Sequence, residues 1–410
     1  MGHAHVRQLE GPAIGARVDP GRFFLGHRIG TLRRDGGPMV HVLGGDLHRD
    51  GQPVEGVGHR LRSLRKIDLI GLRHVGEIEA GDRAVELMKA SIAKAQRPEV
   101  FGGIGGFAGL FDASALKRFA QPLLATSTDG VGTKTEIARQ LGIYNTIGED
   151  LVAMVVDDLV VCGAEPLFMT DYIAVGKVIP ERIAEIVDGI AKGCAKAGTA
   201  LIGGETAEHP QLLKEDEFDI AGAATGVVEA SKLLGPEKIA VGDVAIAIAS
   251  SGVHANGFSL VRHIIKEQKL ELTKHVPELG RTLGEALLTP TTIYAADMLK
   301  LINSVEVHAM AHITGGGLAA NTERVLPPGV QLRIDRQSWA LPPLFTFLQQ
   351  IGQVPGADLE RTFNCGVGMV VITPPSSVAQ ALTLFELLDL RQVLEEHDDT
   401  EGLVVVPSHV

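Results

Sequence analysis

The segment from Ile147 to Cys162 constrains the fold most strongly, because its residues other than its acids are almost all apolar. A stretch of this kind predicts a fully buried helix. A carboxylate inside such a helix is unfavourable unless it is paired or coordinates a cation. Asp157 and Asp158 follow Asp150 by seven and eight positions, so all three lie near one helical face. Their oxygens predict a Mg²⁺ site shared with nucleotide phosphates, while capping by Asp150 and solvent exposure of Asp157 remain an alternative.

The rest of the chain mixes helical and extended patterns with glycine-rich turns. Its 410 residues, 45% hydrophobic content and 49 glycines suit two globular domains. Because strict βαβ alternation is missing, we predict an α/β fold (α+β mixed sheets) and not a doubly wound sheet. The Gly235-Pro236 turn separates a first domain, 67–228, from a second, 229–410. Helices are predicted near 84–89, up to about Gly142, and near 147–162, 180–197, 258–267, 293–302, 318–325 and 376–388. Strands are predicted near 123–126, 168–175, 200–202, 221–228, 244–249, 307–313, 330–334 and 369–372.

Residues 1–66 differ from the remainder in composition. They carry more Arg and Lys than Asp and Glu, and their Gly and Pro residues occur without regular spacing. A transit peptide or nucleic-acid arm is one alternative, but the acids and the lack of an amphipathic stripe argue against it. We therefore predict a disordered extension or a mis-assigned start.

The charge and the cysteine content exclude several classes of function. A net charge of −12 disfavours nucleic-acid and anionic-membrane partners, which require clustered positive charge. The three cysteines, Cys162, Cys194 and Cys365, lack the spacing of a zinc site or a disulfide framework. No apolar run reaches the ~18 residues of a membrane span, so we expect a cytoplasmic protein.

Two glycine-containing segments of the first domain predict phosphate binding. The first joins a strand end to a helix start, where backbone amides and the Lys134 amine can hold phosphate and Asp129 can hold a metal. The second places two acids and a hydroxyl after a glycine pair, which suits a cation-bridged nucleotide pocket. Plain turns with a solvated lysine are the alternative. The candidate residues are Asp129, Gly130, Gly132, Thr133, Lys134, Gly204, Glu205 and Thr206.

Three loops of the second domain carry the remaining candidates. The loops at 250–257 and 312–317 follow strands and offer hydroxyls, an imidazole and backbone amides to an anion. The turn at 362–369 contains Cys365, which is expected to be small and buried and not a nucleophile. His308 is expected to be structural. The candidate binding residues are Ser251, Gly252, His254, Asn256, His312, Thr314, Gly315 and Gly316.

Six motifs together resemble the phosphoribosylformylglycinamidine cyclo-ligase (AIR synthetase) family over about residues 76–375. The resemblance implies an AIR-synthetase-like fold, a homodimer whose N-terminal domains pair their sheets, and ATP and Mg²⁺ as cofactors. It also implies cyclisation of formylglycinamidine ribonucleotide to aminoimidazole ribonucleotide in purine biosynthesis, in a cleft partly closed by the loop at 101–109. The motifs are Asp129-Gly-Val-Gly-Thr-Lys134, Asp158-x4-Gly-Ala-x-Pro166, Gly203-Gly-Glu-Thr-Ala-Glu208, Ser250-Ser-Gly-x-His-x-Asn-Gly257, His312-x-Thr-Gly-Gly-Gly317 and Thr362-Phe-Asn-Cys-Gly-x-Gly-Met369.

On this resemblance, Asp129, Asp150 and Asp158 are predicted Mg²⁺ ligands, and Lys134, His254 and His312 are predicted catalytic residues. Two segments depart from the family pattern: residues 72–78 near the start, and residues 388–410, where the expected closing strand is not recognisable. The alternative function is another ATP-using member of the same superfamily, a small-molecule kinase or synthetase.

Overall fold

A computed structural model describes residues 31–32, 40–41, 68–102, 108–336, 338–387 and 403–407. The chain divides into two units, Met1–Leu69 and Ile70–Val410. In the first unit, β1 (Thr31–Leu32) and β2 (Val40–His41) pair antiparallel. The predicted disorder of residues 1–66 otherwise concerns positions outside the described residues, as does most of the loop at 101–109.

The second unit begins with a four-stranded mixed sheet of order β5-β8-β6-β7, in which only β6 and β7 run parallel. Helix α4 coincides with the predicted helix, with Pro180 in its first turn and Gly198 in the left-handed conformation (φ 69°) after its end. This layer comprises α1 (Asp68–Ile92), β3 (Val100–Phe101), β4 (Leu110–Phe111), β5 (Pro122–Gly130), α2 (Lys134–Leu141), α3 (Ile147–Val160), β6 (Glu165–Val175), α4 (Pro180–Ala197), β7 (Ala200–Glu208) and β8 (Phe218–Glu229).

Helix α3 is the buried helix that its composition predicts. It packs against α4, β5 and β8, and every one of its residues except Asp158 is buried. A helix that is apolar apart from its acids gains stability when apolar neighbours surround it. The exposure of Asp158 therefore marks the one place where α3 meets the surface.

The remaining elements build a second sheet of order β12-β14-β9-β15-β13. All of its ladders are antiparallel, which corrects the expectation of a mixed sheet here. The layer comprises β9 (Val244–Ala249), α5 (Phe258–Glu267), β10 (His275–Val276), β11 (Arg281–Thr282), α6 (Leu283–Leu287), α7 (Ala295–Ser304), β12 (Ala309–His312), α8 (Gly317–Glu323), β13 (Val330–Arg333), α9 (Pro343–Gly352), α10 (Gly356–Thr362), β14 (Val367–Thr373), α11 (Val378–Leu387) and β15 (Leu403–Pro407).

Strand β15 lies within 388–410, where the closing strand of the family pattern was not recognisable. It lies between β9 and β13, and its β-branched run Leu-Val-Val-Val suits a strand. The helices α9 and α10 were also not predicted. One buried apolar cluster includes Leu151 of α3, Val261 of α5 and Met369 of β14, so the two layers share a core. None of the described helices is long and apolar enough to cross a bilayer.

Candidate active site

Two carboxylates and one imidazole from distant parts of the chain meet beside the exposed position of α3. Asp129 lies near the end of β5, Asp158 near the end of α3, and His312 at the end of β12. Asp158 Oδ1 accepts a hydrogen bond from His312 Nδ1 at 3.0 Å. The Asp158 side chain is 45% exposed, whereas that of His312 is 2% exposed. A buried imidazole thus orients a carboxylate that solvent and ligands can reach.

The charges of this cluster act on one another. Burial alone would lower the pKa of His312, but the Asp158 hydrogen bond and the nearby carboxylates raise it overall. Burial raises the pKa of Asp129, the Gly130 amide opposes this, and the charge of Asp158 raises it further. A cation between the two carboxylates would relieve their repulsion. The cluster is therefore suited to a divalent cation.

The donor set fits Mg²⁺ only if other ligands complete the coordination. Within the described ranges, no group of three or more His, Cys, Asp or Glu side chains has the arrangement of a metal site. Mg²⁺ commonly takes one or two carboxylates and fills its octahedron with phosphate oxygens and water. Asp129 and Asp158 match that requirement.

Lys134 and Asp150 do not have the predicted roles in this structure. Lys134 Nζ lies 2.8 Å from the Asp150 carboxylate, and neither side chain has any exposed surface. Lys134 also donates to Thr289 O, and Asp150 accepts from the amide and hydroxyl of Thr291. Burial lowers the pKa of Lys134 and raises that of Asp150, and each charge opposes the shift of the other. Because these groups neutralise each other in the interior, Asp150 is not available to Mg²⁺, nor Lys134 to ATP.

Asp157 is buried, which excludes the alternative that it faces solvent. Its Oδ1 accepts the Tyr294 amide at 3.0 Å, at the start of α7. Burial raises the pKa of Asp157 to about 7. The three acids of one helical face thus have three different environments: a salt bridge, a helix start and the surface.

The loop at 250–257 uses its polar groups largely within the protein. The Ser251 hydroxyl donates to Pro290 O and accepts from the Thr292 amide, while the Ser251 amide donates to His254 Nε2. Ser251 is therefore not free to donate to a phosphate, contrary to prediction. His254 adopts a positive φ of 64°. Burial lowers its pKa well below the ordinary range, so it is a neutral imidazole with its hydrogen on Nδ1.

Two asparagines that sequence reasoning left unassigned brace the loops of the second domain. Asn364 accepts from the Ser250 hydroxyl and the Gly366 amide and donates to Gly252 O. Asn321 donates to the backbone oxygens of three loop residues, Thr314, Gly315 and Gly317. Asn364 lies in the motif at 362–369, and that position could have marked it as a functional residue. No sequence pattern marked Asn321.

The loops at 250–257 and 312–317 are neighbours, as the anion-cradle interpretation requires. A Cβ added to Gly315 would lie 3.4 Å from Asn256 Oδ1. Gly316 has a φ of 99°, which glycine adopts without strain. The two loops therefore form one surface, with His312 at its inner end.

The first-domain segments divide into one loop and one strand. Gly130, Gly132 and Thr133 connect β5 to α2 as predicted, and Gly132 has a φ of 65°. Gly204, Glu205 and Thr206 lie inside β7 and pair with β6, which excludes the alternative of a plain turn and extends the strand predicted near 200–202. A Cβ on Gly204 would lie 1.7 Å from Asp171 Oδ1, so a close approach and not a turn requires this glycine.

Comparison with known proteins identifies the family. The family models for the N-terminal and C-terminal domains of AIR synthase related proteins match residues 111–228 and 240–394. The phosphoribosylformylglycinamidine cyclo-ligase of Desulfitobacterium hafniense is 54% identical over 302 residues, which cover 74% of this chain and 88% of the relative. The chain belongs to the phosphoribosylformylglycinamidine cyclo-ligase family. The cyclo-ligase of a Geobacillus species is 50% identical over 313 residues, 76% of this chain and 90% of the relative.

Membership of the cyclo-ligase family makes this protein a ligase of purine biosynthesis. Its AIR-synthetase-like fold also occurs in a more distant protein, a hydrogenase maturation protein solved in complex with ATP. That structure has a TM-score of 0.53 and 15% identity, covering 77% of this chain and 84% of its own. The departure from the family pattern at 72–78 lies in α1, at positions whose side chains are all outside the described residues.

Proposed function

We propose that this protein uses ATP to close the five-membered ring of aminoimidazole ribonucleotide from formylglycinamidine ribonucleotide, with release of ADP and phosphate. The observation that carries the proposal is Asp158, the one exposed residue of a buried helix, beside Asp129 and His312. An exposed carboxylate facing a second carboxylate is the minimal protein contribution to a Mg²⁺-nucleotide site. ATP use is further supported by the relative solved with ATP.

The reaction activates a formamide oxygen, which is a poor leaving group. The oxygen attacks the γ-phosphorus of ATP, ADP leaves, and an iminophosphate forms. A substrate nitrogen then attacks the activated carbon, which closes the ring and releases inorganic phosphate. The protein contributes chiefly positioning and charge neutralisation, as in other phosphoryl transfers.

Asp129 and Asp158 would hold Mg²⁺, which neutralises phosphate charge during transfer. The amides of Gly132 and Thr133 lie between a strand and a helix start, where phosphate oxygens are favoured. A phosphate contact of Gly130 stays a prediction, since its amide donates to Asp129. Contacts of ATP with Gly204, Glu205 and Thr206 stay a prediction.

The surface formed by the 250–257 and 312–317 loops is proposed to hold the substrate phosphate or the transferring phosphoryl group. It offers Asn256, Thr314 and the backbone of Gly252, Gly315 and Gly316. The pKa of His312, at the inner end of this surface, is raised, which favours the protonated imidazole there. His254, whose pKa is lowered, is a buried neutral imidazole beside the 250–257 loop, and its catalytic role stays a prediction. Environments that shift the pKa values of two histidines in opposite directions suit these residues to different roles in one reaction.

We also propose a homodimer that pairs the first sheets of two chains. The face of this sheet away from α3 and α4 exposes Leu124 (65%) and Tyr172 (42%). Large apolar side chains on an open sheet face indicate a protein partner. Leu124→Glu is expected to convert a dimer to a monomer in light scattering after gel filtration, and a wild-type monomer would contradict the pairing. Domains over 67–228 and 229–410 and a cytoplasmic location are part of the same proposal.

A coupled assay tests the function. Purified protein with ATP, Mg²⁺ and formylglycinamidine ribonucleotide should release ADP and ring-closed product in equal amounts. ADP release with a stable phosphorylated product would instead indicate a small-molecule kinase of the same superfamily, and the proposed ring closure would be wrong.

A further inference from the structure

Residues 289–294, here called the bridging segment, connect α6 to α7 and are held by the first domain through two carboxylates of α3. Asp150 accepts from the Thr291 amide at 2.8 Å and from its hydroxyl at 2.5 Å. About two turns further along α3, Asp157 accepts a hydrogen bond from the Tyr294 amide at 3.0 Å. Lys134 completes the arrangement by donating to Thr289 O at 2.8 Å. Alternate polar groups of the bridging segment are thus bound from one side.

The opposite side of the bridging segment is bound by the second domain. Ser251 donates its hydroxyl to Pro290 O at 2.6 Å and accepts the Thr292 amide at 3.2 Å. The Tyr294 hydroxyl donates to Ala249 O at 2.6 Å, and its ring centroid lies 6.2 Å from that of His254. The bridging segment therefore fixes the residues on which the 250–257 loop begins.

The Lys134–Asp150 pair has little use as a stabilising device alone. Removing two charges from water is unfavourable, and replacement of such a pair by apolar residues is often neutral or stabilising. Here each charge also binds a backbone or hydroxyl group of the bridging segment, which an apolar pair would not do. The pair therefore specifies where that segment lies.

We propose that Lys134 and Asp150 are positioning residues, which act through the bridging segment and Ser251 to set the 250–257 loop opposite Asp158. The inference rests on the proposed function, since it assigns that loop to the substrate site. It replaces the roles in Mg²⁺ and ATP binding predicted for these two residues.

The test uses two matched substitutions in the bridging segment. Thr291→Val removes the hydroxyl bonded to Asp150 and preserves side-chain shape. Thr289→Val is the control, because the Thr289 hydroxyl bonds only Glu285 O within its own helix end and its backbone oxygen still accepts from Lys134. Thr291→Val is expected to lower kcat about 10-fold or more, as small displacements of positioned groups do, and Thr289→Val to change it less than about twofold.

Three further measurements separate positioning from other roles. The kcat loss of Thr291→Val should be non-additive with that of Ser251→Ala, because both break one chain of contacts. Asp150→Asn should leave the Mg²⁺ concentration for half-maximal activity unchanged, while Asp158→Asn should raise it. A Thr291→Val protein with a lowered Tm but wild-type kcat would overturn the inference, as would an equal Mg²⁺ shift in both aspartate variants.

A wild-type protein that closes no ring would refute the proposed function without deciding this inference. Crystal structures of the two threonine variants then decide it. Displacement of Ser251 and His254 in Thr291→Val, with neither moved in Thr289→Val, supports positioning; an unmoved loop in both refutes it.

Discussion

Asp158→Asn is expected to separate catalysis from stability. The Asp158 side chain is 45% exposed and accepts a hydrogen bond from His312 Nδ1. The amide oxygen of Asn could still accept that bond. Because Asn preserves this hydrogen bond and Asp158 itself is half-exposed, the free energy of unfolding should fall by about 1 kcal/mol and the Tm by no more than about 2–4 °C. Loss of one preorganised electrostatic partner of a transferring phosphoryl group should instead lower kcat about 10²-fold, or ~2.7 kcal/mol of activation free energy. Excess Mg²⁺ should recover part of the loss.

Asp157→Asn is the matched control for this experiment. It makes the same chemical change at the neighbouring position, but on a side chain that is fully buried and bonded to the Tyr294 amide. The control should leave the Mg²⁺ dependence of turnover unchanged. Thermal unfolding, ADP release and Mg²⁺ titration of both variants test the reasoning. It would be refuted if Asp158→Asn lowered the Tm strongly while its surviving activity kept the wild-type Mg²⁺ dependence.

Three further predictions concern other parts of the chain. Burial raises the pKa of Asp157 to about 7, so ionising this carboxyl costs free energy in the folded state. The stability of the Mg²⁺-free wild type relative to Asp157→Asn should therefore fall as pH rises from about 4 through 7. A difference in urea unfolding that does not change with pH would contradict this. Gly368→Ala should lower unfolding free energy by about 1–3 kcal/mol, since its Cβ would lie 1.9 Å from Tyr294 Oη, and an unchanged denaturation midpoint would be inconsistent with that contact. Deletion of residues 1–66 should leave folding and turnover nearly unchanged, because that stretch has no periodic apolar face; a large loss of activity would show that it is structural.

Local sequence patterns were sufficient for most of the secondary structure. Helix α4 and strand β9 have the predicted bounds, because proline, glycine and apolar periodicity act over a few residues. The burial of α3 followed from its composition in the same way. Strand β15 was not predicted because its segment lacks the family motif expected there, although its β-branched run favours a strand.

The roles of the acids on α3 were decided only by the tertiary structure. Their spacing placed Asp150, Asp157 and Asp158 on one helical face, but each needs a compensating partner, and those partners lie far away in sequence. Asp150 pairs with Lys134, 16 residues away, and with Thr291, 141 residues away. Asp158 meets His312, 154 residues away, and remains exposed. The sequence by itself determined that buried charge on this helix must be compensated, because the penalty for desolvation is local. Whether a given carboxylate is compensated by a lysine, by a helix start or by a cation depended on the groups that the fold brings to it.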